Sequence, residues 1–427
     1  MIRSAADLSD APDVARTDAP GAVRTASPAA TSLLHAALFL AILVSPLVFI
    51  EPSPYEVACA LLALACLVAG VRLDRKLLPL LALLLIFNVG GLLTLMLPRD
   101  EGTSREAAIY VGVSFYLAMT AVVYACLFSE HSLRRLLILR RAYFIAAFVA
   151  SLIGIAGYFG FYPDATLYDR ARATFKDPNV FGPFLVLPLV MLLQTIISPA
   201  VRLRHLFLFG VMAFALLLSF SRGAWAHFAL SAGIVLLLTF LTAPNIRTRL
   251  RLIVLSAVAL IGLTAFVAGA LSVGSLAEMF EQRAKLTQSY DVGSGGRFGL
   301  QEKAVEAVLE NPAGMGPFEF ARVYGGQQHN VYFQAFLVYG WAGGFAYLLL
   351  VVLTLVIGFR QSIVAAPWQP YLIAALGTYC GEVFESFVVD TDHWRHYFLA
   401  LGMVWGLAVA SMNETGRNLR PDNRHFR

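Results

Sequence analysis

Charge is scarce in this chain of 427 residues: Asp, Glu, Lys and Arg make up 14% of it, against roughly 25% in a soluble domain. With 59% hydrophobic residues, that scarcity excludes a highly charged disordered chain and a soluble enzyme. Cysteine is scarce too. Cys59, Cys66, Cys126 and Cys380 all lie in apolar stretches, and none has Cys-x-x-Cys spacing. This excludes a secreted disulfide scaffold and argues against a thiolate metal or redox centre. The cysteines read as small packing residues. The first 30 residues lack the basic-then-apolar order of a leader. They mix Arg3, Arg16 and Arg24 with Asp, Ala, Pro, Ser and Thr, and read as a disordered cytoplasmic tail.

What the chain does have is uninterrupted apolar sequence. Blocks such as 77–97 and 252–273 run about 20 residues, enough to cross roughly 30 Å of hydrocarbon. About twelve such spans are expected, at 31–51, 54–71, 77–97, 107–128, 142–161, 179–200, 206–220, 223–243, 252–273, 331–358, 366–389 and 393–412. The expected fold is therefore an all-α polytopic membrane protein. Spans 1–9 occupy 31–273, a large loop 274–330, spans 10–12 occupy 331–412, and a basic tail 413–427. The formal net charge is +5. Sorted by side, it points to a membrane orientation and not to nucleic acid. With the N-terminus inside, the inward segments hold Arg72, Arg75 and Lys76, then Arg134, Arg135, Arg140 and Arg141, then Arg247, Arg249 and Arg251. An even span count puts both termini in the cytoplasm.

The outward loop at 274–330 is too long to be a plain connection. Glu278 to Lys285 reads as a charged helical stretch and Gly293-Ser294-Gly295-Gly296 as a flexible break. Arg297 to Glu310 then reads as an amphipathic surface helix ended by Asn311-Pro312. Its expected apolar face is Phe298, Gln301, Ala304, Val305 and Val308.

Polar groups at membrane depth are costly, so each is a functional candidate by default. Arg170, Arg172 and Lys176 precede Pro178-Asn179, with Asn179 placed to cap the next helix. The plainer alternative is a set of snorkelling interfacial arginines. Arg222 stands alone outside, between small residues in Ser219-Phe220-Ser221-Arg222, where an interfacial anchor beside Trp225 is the competing reading. Arg297 follows the glycine run. Gln327-Gln328-His329-Asn330 supplies a titratable group with amide neighbours. Glu382 and Glu385 lie inside span eleven, where a pairing with an arginine of the bundle is expected. Asp390-Thr391-Asp392-His393 follows, and with His396 it offers a possible divalent-metal set. The expected topology puts Arg170, Arg172, Lys176, Arg222, Arg297, His329, Asp390 and Asp392 on one outer face. Several arginines around one histidine suit a diphosphate and a general base.

These pieces, in this order, resemble the O-antigen ligase and O-antigen polymerase superfamily of bacterial envelope proteins. They are the arginine segment ending in Pro178-Asn179, Ser219-Phe220-Ser221-Arg222, Arg297 opening a helix that ends Asn311-Pro312-Ala313-Gly314-Met315-Gly316, and His329-Asn330 followed by Gly340-Trp341-Ala342-Gly343. The resemblance covers about residues 165–410. It implies a GT-C-like enzyme of the inner membrane, with its site facing the periplasm. The enzyme would move a glycan from undecaprenyl diphosphate to an acceptor hydroxyl, with inversion and without a metal or other cofactor. His329 would be the general base. Arg222 and Arg297, with Arg170 or Arg172, would hold the diphosphate. Asn330, Asp390 and Asp392 would orient the base or the acceptor. A ligase would use lipid A–core as acceptor, and a polymerase would join repeat units on the carrier; ligase is the leading expectation. A secondary transporter is the alternative of another class, with Glu382 and Glu385 as proton relays, but no internal repeat supports it.

Overall fold

A computed structural model describes residues 27–48, 52–97, 101–272 and 295–418, together with Gly274 and Gly293. Both predicted tails fall largely outside these residues, as do the Glu278–Lys285 stretch and Ser294. Among the described residues the chain is helical, apart from a two-strand hairpin. Among the described residues seven helical stretches, one of them the pair of helices over Pro178–Ile197, are long and apolar enough to cross a membrane. The chain is an all-α membrane protein.

In chain order the helices are α1 (Pro28–Leu43), α2 (Pro54–Val68), α3 (Leu78–Thr94), α4 (Glu101–Ser129), α5 (Ser132–Tyr158), α6 (Pro178–Phe184), α7 (Val186–Ile197), α8 (Leu203–Leu218), α9 (Arg222–Thr242) and α10 (Ile246–Leu271). After the large loop come α11 (Arg297–Glu310), α12 (Glu319–Tyr324), α13 (Val331–Ser362), α14 (Gln369–Glu385) and α15 (Arg395–Asn418). Strands β1 (Thr166–Leu167) and β2 (Arg170–Ala171) pair antiparallel in the arginine segment.

Local chemistry sets the boundaries. Ser27 and Ser53 precede prolines that open α1 and α2, where a missing N–H costs nothing. The Ser53 N–H donates to Glu56 Oε2 at 2.5 Å, and Arg395 at the start of α15 donates to Glu56 Oε1 at 2.6 Å. One carboxylate thus caps α2 and ties it to α15. The predicted span at 142–161 begins ten residues earlier, at Ser132. A tight turn leaves no loop between α4 and α5, so Arg134, Arg135, Arg140 and Arg141 sit on the first turns of α5. Arg135 is buried there, donating to the Leu127 carbonyl at 2.6 Å. The capping role expected of Asn179 belongs to Asp177, whose carboxylate accepts from the Asn179 N–H at 2.6 Å.

The core joins α3 to α13, α4 to α15, and α9 to α14. Helix α13 is broken at Gly340 (φ 67°, ψ −178°), a conformation open essentially only to glycine. The break frees the Trp341 N–H and the Leu337 carbonyl, which an unbroken helix would pair with each other. Trp341 instead donates to the Pro312 carbonyl at 2.8 Å, and Leu337 accepts from Met315 (2.6 Å) and Gly316 (3.0 Å). The Asn311–Gly316 segment therefore docks into the gap in α13 and satisfies these two freed groups.

The buried face of α11 differs from the expectation. Leu300, Ala304 and Ala307 pack on Phe320 and Leu337, while Phe298 and Val305 are exposed, with Leu309 beside them. The helix carries two apolar stripes about half a turn apart, and the tertiary fold uses the one with small residues. The exposed stripe is the one free to meet lipid.

Candidate functional site

His329 lies on the turn just before α13 with φ +47°, a left-handed conformation costing roughly 1–2 kcal/mol in a non-glycine residue. It is not alone. Among the described residues seven non-glycine residues have positive φ, and Tyr168, Asp169, Ala173, Phe220, Phe318 and His329 are six of them. These lie within the arginine segment, the Ser219–Arg222 turn and the 312–329 connection. Strained backbone of this kind gathers where surrounding packing holds a site in shape.

The His329 Nδ1 is 2.8 Å from Asp390 Oδ2. A carboxylate only accepts, so Nδ1 carries the hydrogen, and in the neutral ring the lone pair is on Nε2. The pair is partly open to solvent, His329 at 46% and Asp390 at 35%. That suits a base that must meet a substrate. Asn330 is otherwise engaged. Its Oδ1 accepts from the Tyr332 and Phe333 N–H groups at 3.0 and 3.3 Å, capping α13, and its Nδ2 donates to the Phe387 carbonyl at 3.2 Å. Its role here is to aim the helix start and hold His329 against the 386–390 segment.

The two aspartates of Asp390-x-Asp392 part company. Asp392 is buried and accepts from Tyr110 at 2.5 Å, with His393 Nδ1 at 3.1 Å. Tyr110 in turn accepts from Gln334 (3.1 Å), whose Oε1 accepts from Gln328 (2.5 Å). Burial pushes the Asp392 carboxyl up. The charge on His393 and the hydrogen bonds from His393 and Tyr110 outweigh it and hold the group below the usual range. Burial likewise pushes His393 down, and Asp392 with the Tyr110 carbonyl raises it above the ordinary imidazole value. His396 is buried beside a small cleft that it lines with His393, Tyr55, Tyr143, Phe184, Trp394 and Arg395. Among the described residues no group of three His, Cys, Asp or Glu side chains is placed to share a metal ion.

Arg170 is buried, donating from Nε to the Ser219 carbonyl at 2.8 Å and from a terminal nitrogen to Asn179 Oδ1 at 2.7 Å. It therefore joins the first arginine segment to the Ser219–Arg222 turn. Arg172 instead donates to the Asp164 carbonyl at 3.1 and 2.9 Å, on the loop side. Arg222 is the first residue of α9, behind Ser221, whose Oγ accepts from the Ala224 N–H at 3.3 Å. Gly223 lies against Glu385 at the end of α14. Arg297 opens α11. One turn later, Gln301 donates to the Gln328 and Phe387 carbonyls at 3.2 and 3.1 Å. The 385–390 segment is thus the hub that α9, α11 and the His329 turn all touch.

Residues 207–348 match the family model described as O-antigen ligase. Over those residues the chain is similar to the O-antigen ligase family. No curated protein matches the chain. The O-antigen ligase match runs from α8 into the second half of α13. It includes Arg222, Arg297, His329, Asn330 and the Gly340–Gly343 break, while Arg170, Arg172, Asp390 and Asp392 come from outside it. The matched residues include the membrane-length helix α9 and the first half of α13.

Two site features were not foreseen. Glu385 meets His227, not an arginine: His227 Nδ1 is 2.9 Å from Glu385 Oε2, and both residues are fully buried. Gln301 was placed on an apolar face, yet it makes polar bonds to the hub. The signal for His227 was present, a polar ring inside an apolar span, but its partner lies 158 residues away.

Proposed function

We propose that this enzyme transfers a glycan from undecaprenyl diphosphate to an acceptor hydroxyl at the periplasmic face of the bacterial inner membrane, as an O-antigen ligase acting on lipid A–core. The observation that carries the reading is the His329–Asp390 pair. It holds a half-exposed imidazole by Nδ1, so that the neutral ring keeps its lone pair on Nε2, beside a hub touched by the arginine-bearing helices α9 and α11. His329 Nε2 takes the proton of the acceptor hydroxyl as its oxygen attacks the anomeric carbon. The bond from that carbon to the diphosphate oxygen breaks, and the configuration inverts. Arg222 and Arg297 take up the charge of the departing diphosphate, the electrostatic contribution that preorganised donors make best. Of the two arginines in the first segment, Arg170 is the better candidate to support them, because it is bonded to the Ser219–Arg222 turn. Asp390 holds the imidazole tautomer. The polytopic arrangement is GT-C-like with about twelve spans and both termini cytoplasmic, and the exposed Phe298–Val305–Leu309 stripe of α11 rests on the outer leaflet. The repeat-unit polymerase is the second reading, since the shared family domain serves both.

The test is a surface-glycan gel on a strain lacking the gene, complemented with wild type or His329→Ala. Ligase activity predicts loss of polymer-capped lipopolysaccharide, with polymer held on the carrier, rescued by wild type alone. Single repeat units in place of a ladder would make it a polymerase. Rescue by His329→Ala would remove the base.

A further inference from the structure

Deep in the bundle, behind the hub, lies a pair of groups that the chemistry above does not use. His227 and Glu385 are completely buried, where an ionisable group is costly unless it is engaged. The bonding fixes their proton content. His227 Nε2 is 3.0 Å from the Thr378 carbonyl, which can only accept, so Nε2 carries a hydrogen. Nδ1 then faces Glu385 Oε2 at 2.9 Å. Without a proton between them two lone pairs would meet, so the contact holds one, as imidazolium–carboxylate or as imidazole–carboxylic acid.

The surrounding sequence is shaped to the pair. At Gly223 a Cβ would fall 2.5 Å from Glu385 Oε1 and 3.3 Å from its Cγ; at Gly381 a Cβ would collide with the His227 ring. Two glycines on two helices clear room for two side chains. The location is specific as well. Gly223 directly follows Arg222. Glu385 ends α14, and the next residue, Ser386, accepts from the Val331 N–H at 2.9 Å. Phe387 takes the Asn330 and Gln301 amides, and Asp390 holds His329.

We propose that His227 and Glu385 are positioning residues that set the register between the Arg222 end of α9 and the His329–Asp390 base. This rests on the glycosyl-transfer reading. A buried ion pair is weak evidence for stability, and an apolar pair of similar volume often serves the fold as well or better. The pair's function is then to hold one arrangement of the hub, in which the cation meets the donor diphosphate while the base meets the acceptor hydroxyl.

The experiment compares purified variants in detergent or proteoliposomes, with a lipid-diphosphate glycan as donor. The doubly apolar variant H227L/E385L is expected to insert and to be as heat-stable as wild type. Its kcat should fall 10- to 100-fold, with donor KM changed less than 3-fold. Glu385→Gln keeps the hydrogen bond and should recover turnover to within about 5-fold of wild type. Gly223→Ala leaves both ionisable groups in place but displaces Glu385. It should show the same loss in kcat, and it carries the test if the apolar pair does not insert. Wild-type kcat in H227L/E385L or in Gly223→Ala would overturn the proposal, as would Glu385→Gln as poor as the apolar pair. His329→Ala is the control. If it turns over, the glycosyl-transfer reading falls; if it is dead while H227L/E385L is fully active, only the positioning role falls.

Discussion

Replacing Asp390 by Ala separates catalysis from stability. The carboxylate is 2.8 Å from His329 Nδ1, yet the two side chains are 35% and 46% exposed. A polar contact that open to water is worth about 0–1 kcal/mol to the fold, so Asp390→Ala should leave insertion and the melting temperature nearly unchanged. Its effect on turnover should be far larger. With Nδ1 released, the ring rotates and the imidazole shifts between tautomers, so Nε2 no longer faces the acceptor with a free lone pair. A positioned general base contributes roughly 10²–10⁴-fold. Losing its orientation should remove the lower part of that, about 10²-fold, or about 2.7 kcal/mol on the barrier. Asp390→Asn should be at least as impaired. Its amide can turn an N–H toward Nδ1, which then accepts, and Nε2 becomes protonated. The assay is steady-state transfer from a lipid-diphosphate donor, read with the detergent melting temperature of each variant. Turnover within 3-fold of wild type in Asp390→Ala would refute the reasoning. A melting temperature that collapses with activity would show that the pair is structural instead.

Gly340→Ala forces a side chain into a left-handed residue whose Cβ would lie 2.8 Å from the Ala313 carbonyl. It should cost about 2–4 kcal/mol and free the 311–316 segment, seen as new protease cleavage there in intact membranes. Arg222→Lys keeps the charge but loses the planar fork suited to phosphate. It should lower kcat/KM at least 10-fold, and full activity would argue against a fork on the diphosphate. His393 is raised above its ordinary value by Asp392. Its contribution to stability is thus complete below the unfolded pKa of about 6.5 and fades as pH rises through the higher folded value. The melting temperature of His393→Gln should fall short of wild type by more at pH 6 than at pH 9, and an equal deficit at both would mean the pair is not ionised.

Hydropathy is a local property, so the sequence alone determined that this is a helical membrane protein, and roughly where the helices run. The ordered motifs likewise marked Arg222, Arg297, His329 and the Gly340 segment. What the sequence could not decide depends on which surfaces meet. Asp390 and Asp392 are two residues apart and chemically alike, but the turn between α14 and α15 sends one to His329 and the other to Tyr110 and His393. Arg170 lies in the two-residue strand β2 and Arg172 just past its end, so one goes into the protein and the other to the loop. Helix α11 offers two apolar stripes, and only packing against Phe320 and Leu337 chooses between them. The partners of the broken backbone at Gly340 come from the 312–316 segment, and those of Glu385 from a helix 158 residues away. Hydrogen bonds and steric fit act over a few ångströms, and only the fold brings such distant residues that close.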